Sequence, residues 1–185
     1  MTTVAPKPAT QEQSSGPLSP APATNLVAPG GIDTATRNVI LQQHNECRKM
    51  HQSPSLILDQ ELCQSAQRVA EACCRKQQLE HSDTPNGENL YFSGQKGTSF
   101  AAQNEAKAAV KSWYDEISRY DFSGTSNPSG SNHFTQVVWR ESRKLGVGVA
   151  SATNSDGMLC TYVVCQYQPA GNFLGEYKAN VLPRQ

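Results

Sequence analysis

Apolar residues recur at helical spacing in three segments of the chain, and this pattern predicts three amphipathic helices. Asp33 can cap a helix over residues 34–51, and Asp59 can cap a second helix that runs to about residue 79. Thr98 can cap a third helix that runs to about residue 120. In each helix, the apolar stripe is the face that we expect to lie in the core.

The last third of the chain alternates in the manner of β-strands. Large apolar residues alternate with small ones over residues 145–150, and a turn at 154–157 leads into a second strand over 159–167. Residues 88–92 predict a further short strand. The small residues predict that a helix or loop packs closely over one face of the hairpin. Helices in series with a late hairpin indicate an α+β domain.

Composition sets the first 31 residues apart from the rest, because they are rich in Pro, Ala, Ser, Thr and Gln and almost free of aliphatic bulk. Such a segment cannot bury enough apolar surface to offset its ordering entropy. We therefore expect a disordered arm over residues 1–31 and one folded domain over 32–185. The formal net charge is zero, so the chain has no basic excess for binding nucleic acid.

The start of the chain lacks the charged and apolar regions of a secretory signal, and Thr2 replaces the glycine that N-myristoylation requires. We therefore expect an intracellular location. In a reducing compartment the six cysteines are expected to be core thiols rather than disulfides. Cys160 and Cys165 have an odd separation on a predicted strand, so they should face opposite sides of it. The full set is Cys47, Cys63, Cys73, Cys74, Cys160 and Cys165.

Four polar residues are candidates for a functional site. His133 stands between a loop of turn residues and the apolar run over 133–139, so its imidazole should lie at the edge of the core. Glu116 lies one turn beyond Trp113, at the margin of the buried face of the third predicted helix. His81 follows the second helix, and Glu88 begins the short strand. Their spacing in the sequence does not show whether the four meet.

The remaining histidines and the two tryptophans receive simpler interpretations. His44 and His51 are interpreted as surface or capping residues rather than ligands. Trp113 and Trp139 are interpreted as core residues rather than ligand-stacking rings. The sequence also lacks the Gly-x-Ser-x-Gly motif of a serine nucleophile, and no cysteine adjoins a candidate histidine.

Four ordered motifs resemble those of the CAP superfamily of cysteine-rich secretory, antigen 5 and plant pathogenesis-related proteins. The resemblance extends from about residue 32 to residue 183 and is greatest to the Golgi-associated intracellular branch. The motifs are His44-Asn45-Glu46 with Arg48, Gly87-Glu88-Asn89-Leu90, His133-Phe134-Thr135-Gln136-Val137-Val138-Trp139, and Tyr162-Val163-Val164-Cys165-Gln166-Tyr167 with Pro169, Gly171 and Asn172.

This resemblance implies an α-β-α sandwich, with a three- or four-stranded antiparallel sheet between helices. It also implies a surface cleft lined by His81, Glu88, Glu116 and His133. Members of the family bind sterols and other lipids, and some bind a divalent metal such as zinc in the cleft. The intracellular branch associates peripherally with membranes and can self-associate, which implies a homodimer and a location at the cytosolic face of the Golgi or other endomembranes.

Three interpretations of the four residues remain open from the sequence. In the first, the histidines bind a divalent ion, and the glutamates either bind the ion or hydrogen-bond its water. In the second, metal-bound water or a Glu base hydrolyses a substrate. In the third, the four residues are a mutually satisfied polar cluster. We expect a non-enzymatic domain that binds sterol or anionic phospholipid, with loops at 93–99 and 122–132 able to flex over an apolar groove. The alternatives are a metal-dependent hydrolase or protease and a self-associating scaffold protein.

Overall fold

The computed structural model of the chain describes residues 26–27, 33–96, 101–123 and 130–185. Within these ranges the chain forms five helices, one short 3-10 helix and five strands. In chain order they are β1 (Leu26–Val27), α1 (Thr34–Met50), β2 (Ile57–Leu58), α2 (Gln60–Lys76), β3 (Gly87–Lys96), α3 (Ala102–Asp115), the 3-10 helix (Glu116–Arg119), α4 (Asn132–Val138), β4 (Lys144–Thr153), β5 (Met158–Gln168) and α5 (Tyr177–Asn180).

The first two helices begin where the capping residues predict. Asp33 Oδ1 accepts a hydrogen bond from the Thr36 N–H at 2.7 Å, and Asp59 Oδ1 accepts one from the Leu62 N–H at 3.0 Å. The second helix ends at Lys76, earlier than predicted, because Gln77 adopts a left-handed conformation that closes it.

The third helix is shorter than its sequence pattern predicts. It begins at Ala102 and gives way at Asp115 to the tighter 3-10 turn that starts with Glu116. Thr98, its predicted cap, lies outside the described residues.

The sheet has the strand order β1-β4-β5-β3, and β2 also pairs with β4. The three long strands are antiparallel, with Glu88 of β3 opposite Gln166 of β5, and β4 and β5 form the predicted hairpin. The two-residue strand β2 runs parallel to β4 and so adds one parallel pair to the implied antiparallel sheet. β1 shows that Leu26 and Val27, inside the predicted disordered arm, pair with β4; the rest of the arm lies outside the described residues.

Helices cover both faces of the sheet, which confirms the α-β-α sandwich. Ala66, Ala70 and Cys73 of α2 share one buried cluster with β4 and β5, whereas α1, α3 and α4 build the larger cluster on the other face. The predicted close approach over β4 is confirmed, since a Cβ on Gly146 would lie 2.3 Å from the Leu62 carbonyl carbon. Gly148 would meet Ala66 in the same way, at 2.4 Å.

The cysteines lie in the core as expected, with five buried and Cys47 half-buried as free thiols. Cys160 belongs to the cluster on the α2 side and Cys165 to the cluster on the opposite side, so the predicted orientation of this pair is confirmed.

His44 and His51 are buried, so their interpretation as surface residues is wrong. His51 does end α1, where its N–H donates to the carbonyls of the last turn, but its ring lies inside the protein. His44 tolerates burial because its Nδ1 donates to the Ile40 carbonyl at 2.8 Å and its Nε2 lies 2.7 Å from the Tyr167 hydroxyl. Burial lowers the pKa of His44 to about 4, so its ring is neutral at physiological pH. Trp113 and Trp139 are core residues, as predicted.

Candidate functional site

Glu116 and His133 form the first of two His–Glu pairs. Glu116 Oε1 lies 2.8 Å from His133 Nδ1, and Oε2 accepts from the backbone N–H groups of His133 at 3.0 Å and of Phe134 at 3.3 Å. These N–H groups open α4 and have no acceptor within the helix, so the carboxylate caps α4 while it holds the imidazole. Arg119 Nη2 lies 3.4 Å from Glu116 Oε1.

The His133 ring is fixed on more than one side. Because an ionised carboxylate can only accept, the Nδ1 atom of His133 is the donor, and Nε2 is the nitrogen left for another partner. The ring stacks on Trp113 at a centroid distance of 6.4 Å and an angle of 26°. The His133 side chain is 28% exposed while that of Glu116 is 10% exposed, so the imidazole is the group that solvent reaches.

The end of α4 opposite Glu116 is fixed by a buried arginine. Arg48 donates through Nη1 to the carbonyls of Val137 at 3.1 Å and Trp139 at 2.8 Å. It also donates to Pro54 and Ser142 carbonyls, each at 2.8 Å. Burial lowers the pKa of Arg48 to about 10, and the guanidinium therefore stays charged at neutral pH. The helix that carries His133 is thus held at one end by an anion and at the other by a cation, as its dipole favours.

His81 and Glu88 form the second pair. Their Nδ1 and Oε1 atoms lie 2.9 Å apart, and the His81 side chain is 24% exposed against 2% for Glu88. Glu88 also accepts from the Ser82 N–H at 2.9 Å, from Ser82 Oγ at 2.7 Å and from Gln166 Nε2 at 2.9 Å. A cleft of about 350 Å³ between α2 and the loop after it opens beside His81.

The carboxyl of Glu88 is ionised at neutral pH despite its burial. Burial alone raises its pKa, but the hydrogen bonds from His81, Gln166 and Ser82 outweigh burial and lower the pKa to about 2. A carboxylate in this state orients the His81 ring in the same way that Glu116 orients His133, with Nδ1 as donor and Nε2 as the remaining nitrogen.

Residues at the start of β3 contact both pairs. Glu88 contacts His81, and the next residue, Asn89, donates from Nδ2 to the His133 carbonyl at 3.1 Å. Because successive residues of a strand point to opposite faces, the side chains of Glu88 and Asn89 leave β3 on opposite sides, and Asn89 contacts the backbone of His133 rather than its ring.

The structure thus joins the four candidate residues as His81 with Glu88 and His133 with Glu116. Within the described ranges, no group of three or more His, Cys, Asp or Glu residues is arranged to hold a metal ion. In each pair Nδ1 is engaged by the carboxylate, so Nε2 is the ring nitrogen left for another partner. Metal binding by the four residues stays a prediction.

Sequence analysis did not identify Ser82, Gln166, Asn89 or Arg48 as parts of this site. Gln166 could have been found only from the strand pairing, which sets it opposite Glu88. Arg48 belongs to the motif that begins at His44, but its position in the sequence does not connect it with α4, which is distant along the chain.

The candidate loops lie only partly within the described residues. Of the loop predicted at 93–99, residues 93–96 belong to strand β3 and the rest lie outside the described ranges, as does most of the loop predicted at 122–132. Within the described part of the chain, no helix has the length and apolar character needed to cross a lipid bilayer.

Comparison with known proteins agrees with the motifs and the fold. Residues 41–167 match the model of the cysteine-rich secretory protein family, CAP. The chain is 39% identical over 152 residues to human Golgi-associated plant pathogenesis-related protein 1, covering 79% of this chain and 92% of that protein. It is 34% identical to Protein PRY2 of Saccharomyces cerevisiae over 78% of this chain, and it spans 40% of the length of that protein.

The solved structures include the crystal structure of NaASP2 with Zn²⁺, which matches with a TM-score of 0.64 and 26% identity over 85% of this chain and 90% of that one. Both the family model and the human relative cover most of the folded region. The chain belongs to the CAP family.

Proposed function

We propose that this CAP domain is a non-enzymatic binding module in which His81 and His133 hold a divalent metal ion, with zinc as the first choice. One observation carries the proposal: two partly exposed imidazoles each have Nδ1 engaged by a buried carboxylate. In metal sites the ligating histidine commonly donates its other ring N–H to a carboxylate, which fixes its orientation and raises its basicity.

The roles of the four residues follow from this arrangement. His81 and His133 are the ligands through Nε2, and Glu88 and Glu116 orient them. When bound, zinc would accept two nitrogen ligands from the chain and complete its coordination with water or a ligand, which gives an open rather than a closed site. The structural relative NaASP2 has a crystal structure with Zn²⁺, which supports zinc as the ion to test first.

Zinc content and affinity test this proposal. We expect the wild-type protein to bind one zinc ion by calorimetry and elemental analysis, and His81→Ala and His133→Ala each to lose it. Cys47→Ser is the matched control, because Cys47 is the half-buried thiol and the other thiols are buried. Zinc bound equally by the double histidine variant, or absent from the wild-type protein at micromolar concentrations, would contradict the proposal.

Binding of lipid at a membrane surface is the second candidate function, and an exposed apolar turn favours it. Leu174 is 75% exposed and Phe173 is 36% exposed, side by side. The turn is held firmly, because Asn172 Oδ1 accepts from Thr135 Oγ1 at 2.6 Å and the Phe173 carbonyl accepts from the Glu176 N–H at 3.1 Å. Large apolar side chains held in water by a fixed turn are suited to the interfacial region of a bilayer.

Vesicle binding tests this second candidate. We expect the protein to co-sediment with vesicles of phosphatidylcholine containing phosphatidylserine or cholesterol, and Leu174→Ser to weaken this binding several-fold. Ile57→Ser is the matched control, since Ile57 is 63% exposed elsewhere on the surface. Equal loss in both variants, or no binding by wild type, would reject the turn as a lipid contact. A hydrolytic activity that requires zinc and both histidines would instead support the hydrolase alternative.

A further inference from the structure

The outer edge of β4 is bonded to other parts of the same chain. Gln67 of α2 accepts from the Val149 N–H at 3.1 Å and donates to the Val149 carbonyl at 3.0 Å. Cys63 Sγ accepts from the Val147 N–H at 3.4 Å. Strand β2 pairs with one end of this edge and β1 with the other end. The edge of β4 is therefore blocked to a further strand.

The outer edge of β3 is open over its second half. Trp113 Nε1 donates to the Leu90 carbonyl at 3.0 Å, so Leu90 directs its backbone groups away from β5. Because this direction alternates along an antiparallel strand, Phe92, Gly94 and Lys96 also direct their N–H and C=O groups outwards. Within the described ranges β3 pairs only with β5, so these outward groups have no strand partner.

This open edge is held in a fixed position and carries an exposed aromatic ring. Phe92 is 40% exposed, and its ring packs on Tyr162 with the two centroids 5.1 Å apart. Glu105 of α3 accepts from Ser93 Oγ at 2.5 Å and from Gln95 Nε2 at 2.7 Å, which fixes this half of β3. A fixed, exposed edge without proline is a template for another strand.

We propose that the outer edge of β3 pairs with the same edge of a second copy of this chain, and that the two sheets thereby join across a two-fold axis. An antiparallel strand is complementary to its own copy, because each residue that offers an N–H and a C=O meets one that offers the same two groups. The formal net charge of the chain is zero, so no overall repulsion opposes the approach of two copies.

The contacts of β3 also set the register of this pairing. The Leu90 carbonyl is already bound by Trp113, so the pairing begins after Leu90, and the outward residues that follow centre it on Gly94. Phe92 of one copy then lies opposite Lys96 of the other copy on the same face of the sheet. An ammonium group beside an exposed aromatic ring is a favourable cross-strand pair.

Amide hydrogen exchange measured by NMR tests the pairing without metal or lipid, so its outcome is independent of the proposed function. The amides of Phe92, Gly94 and Lys96 should become several-fold more protected as the protein concentration rises from about 20 µM to about 1 mM, because so small an interface forms a weak dimer. The amides of the alternate residues between them face β5 and should be equally protected throughout. Exchange that is independent of concentration at all these amides would overturn the proposal.

Sedimentation equilibrium with matched variants tests the register. Phe92→Lys places like charges opposite each other and should lower the association constant about 10-fold or more. Adding Lys96→Glu to this variant places opposite charges across the axis and should restore association to within about 3-fold of wild type. Ile57→Lys is the control, because Ile57 is 63% exposed on β2, at the other edge of the sheet, and should change association less than about 2-fold.

A wild-type protein that is monomeric at about 1 mM, or a Phe92→Lys variant that associates as strongly as wild type, would overturn the proposal. A double variant as weak as Phe92→Lys would reject the register centred on Gly94. Lys96→Pro keeps the test decisive should Phe92→Lys fail to fold, since it removes an outward N–H and no bond to β5. We expect it to weaken association by a similar factor, and unchanged association would contradict the pairing.

Discussion

The two His–Glu pairs have nearly the same contact distance but are built by different means. Glu116 accepts hydrogen bonds from backbone N–H groups of α4, and His133 stacks on the buried Trp113. Glu88 instead accepts from two side chains besides His81, those of Ser82 and Gln166, and from the Ser82 backbone N–H. The first pair is therefore part of the secondary structure, whereas the second depends on a network of side chains that single substitutions can dismantle stepwise.

The largest difference between the pairs should appear when each carboxylate is deleted. Glu116→Ala leaves two N–H groups at the start of α4, one buried and one part-buried, without this acceptor. We therefore expect a loss of about 2–4 kcal/mol in the free energy of unfolding, measured by urea denaturation. Glu105→Ala is the control, because Glu105 accepts from the side chains of Ser93 and Gln95 rather than from a helix N-terminus, and its loss should cost less than about 1 kcal/mol. A loss below about 1 kcal/mol for Glu116→Ala would show that α4 does not depend on this cap.

The pH dependence of stability should reveal the second pair. The pKa of Glu88 in the folded protein is about 2, below its ordinary value of 4.5. Its carboxylate therefore stabilises the fold above pH 4.5, and this contribution is lost as the pH falls towards 2. We expect Glu88→Gln to be less stable than wild type at pH 7 by about 1–3 kcal/mol and to differ less from it near pH 2.

The measurement is the melting temperature of wild type and of Glu88→Gln across this pH range. If the two curves stay parallel from neutral pH to pH 2, the carboxylate of Glu88 is not the source of acid sensitivity.

The smallest expected effect concerns one member of the network around Glu88. Gln166→Leu removes the bonds that Nε2 donates to Glu88 Oε2, Ser82 Oγ and Thr84 Oγ1 and the bond accepted from Asn86 Nδ2. Both bonds from Ser82 to Glu88 remain, so the cost should be about 1–1.5 kcal/mol in thermal unfolding. The NMR ring signals of His81 should move in this variant while those of His133 stay unchanged. Movement of both would mean that the pairs are coupled through β5 rather than held separately.

The sequence predicted those parts of the site that depend on local pattern. Helical spacing placed Glu116 at the margin of a buried face, and the change from turn residues to an apolar run placed His133 at the edge of the core. The caps Asp33 and Asp59 also marked the true starts of α1 and α2. These features are decided within a few residues along the chain, where spacing is informative.

The parts that sequence analysis missed depend on distant partners. His44 is buried because Tyr167 satisfies its second nitrogen, and Arg48 because the carbonyls after α4 accept its protons. Gln166 meets Glu88 only through the pairing of β3 with β5. A polar residue is expected to be exposed unless a hydrogen-bond partner is known, and a partner distant in the sequence is seen only in the three-dimensional structure.

The adjacency of Glu88 and Asn89 makes the alignment of β3 a condition for the contacts of both pairs. Were β3 to slip by one residue along β5, every side chain of the strand would exchange faces. The carboxylate would then leave His81 and the amide would leave His133 in the same event. Insertions or deletions near residue 87 should therefore break the contacts of Glu88 with His81 and of Asn89 with His133 together, even where the core tolerates them.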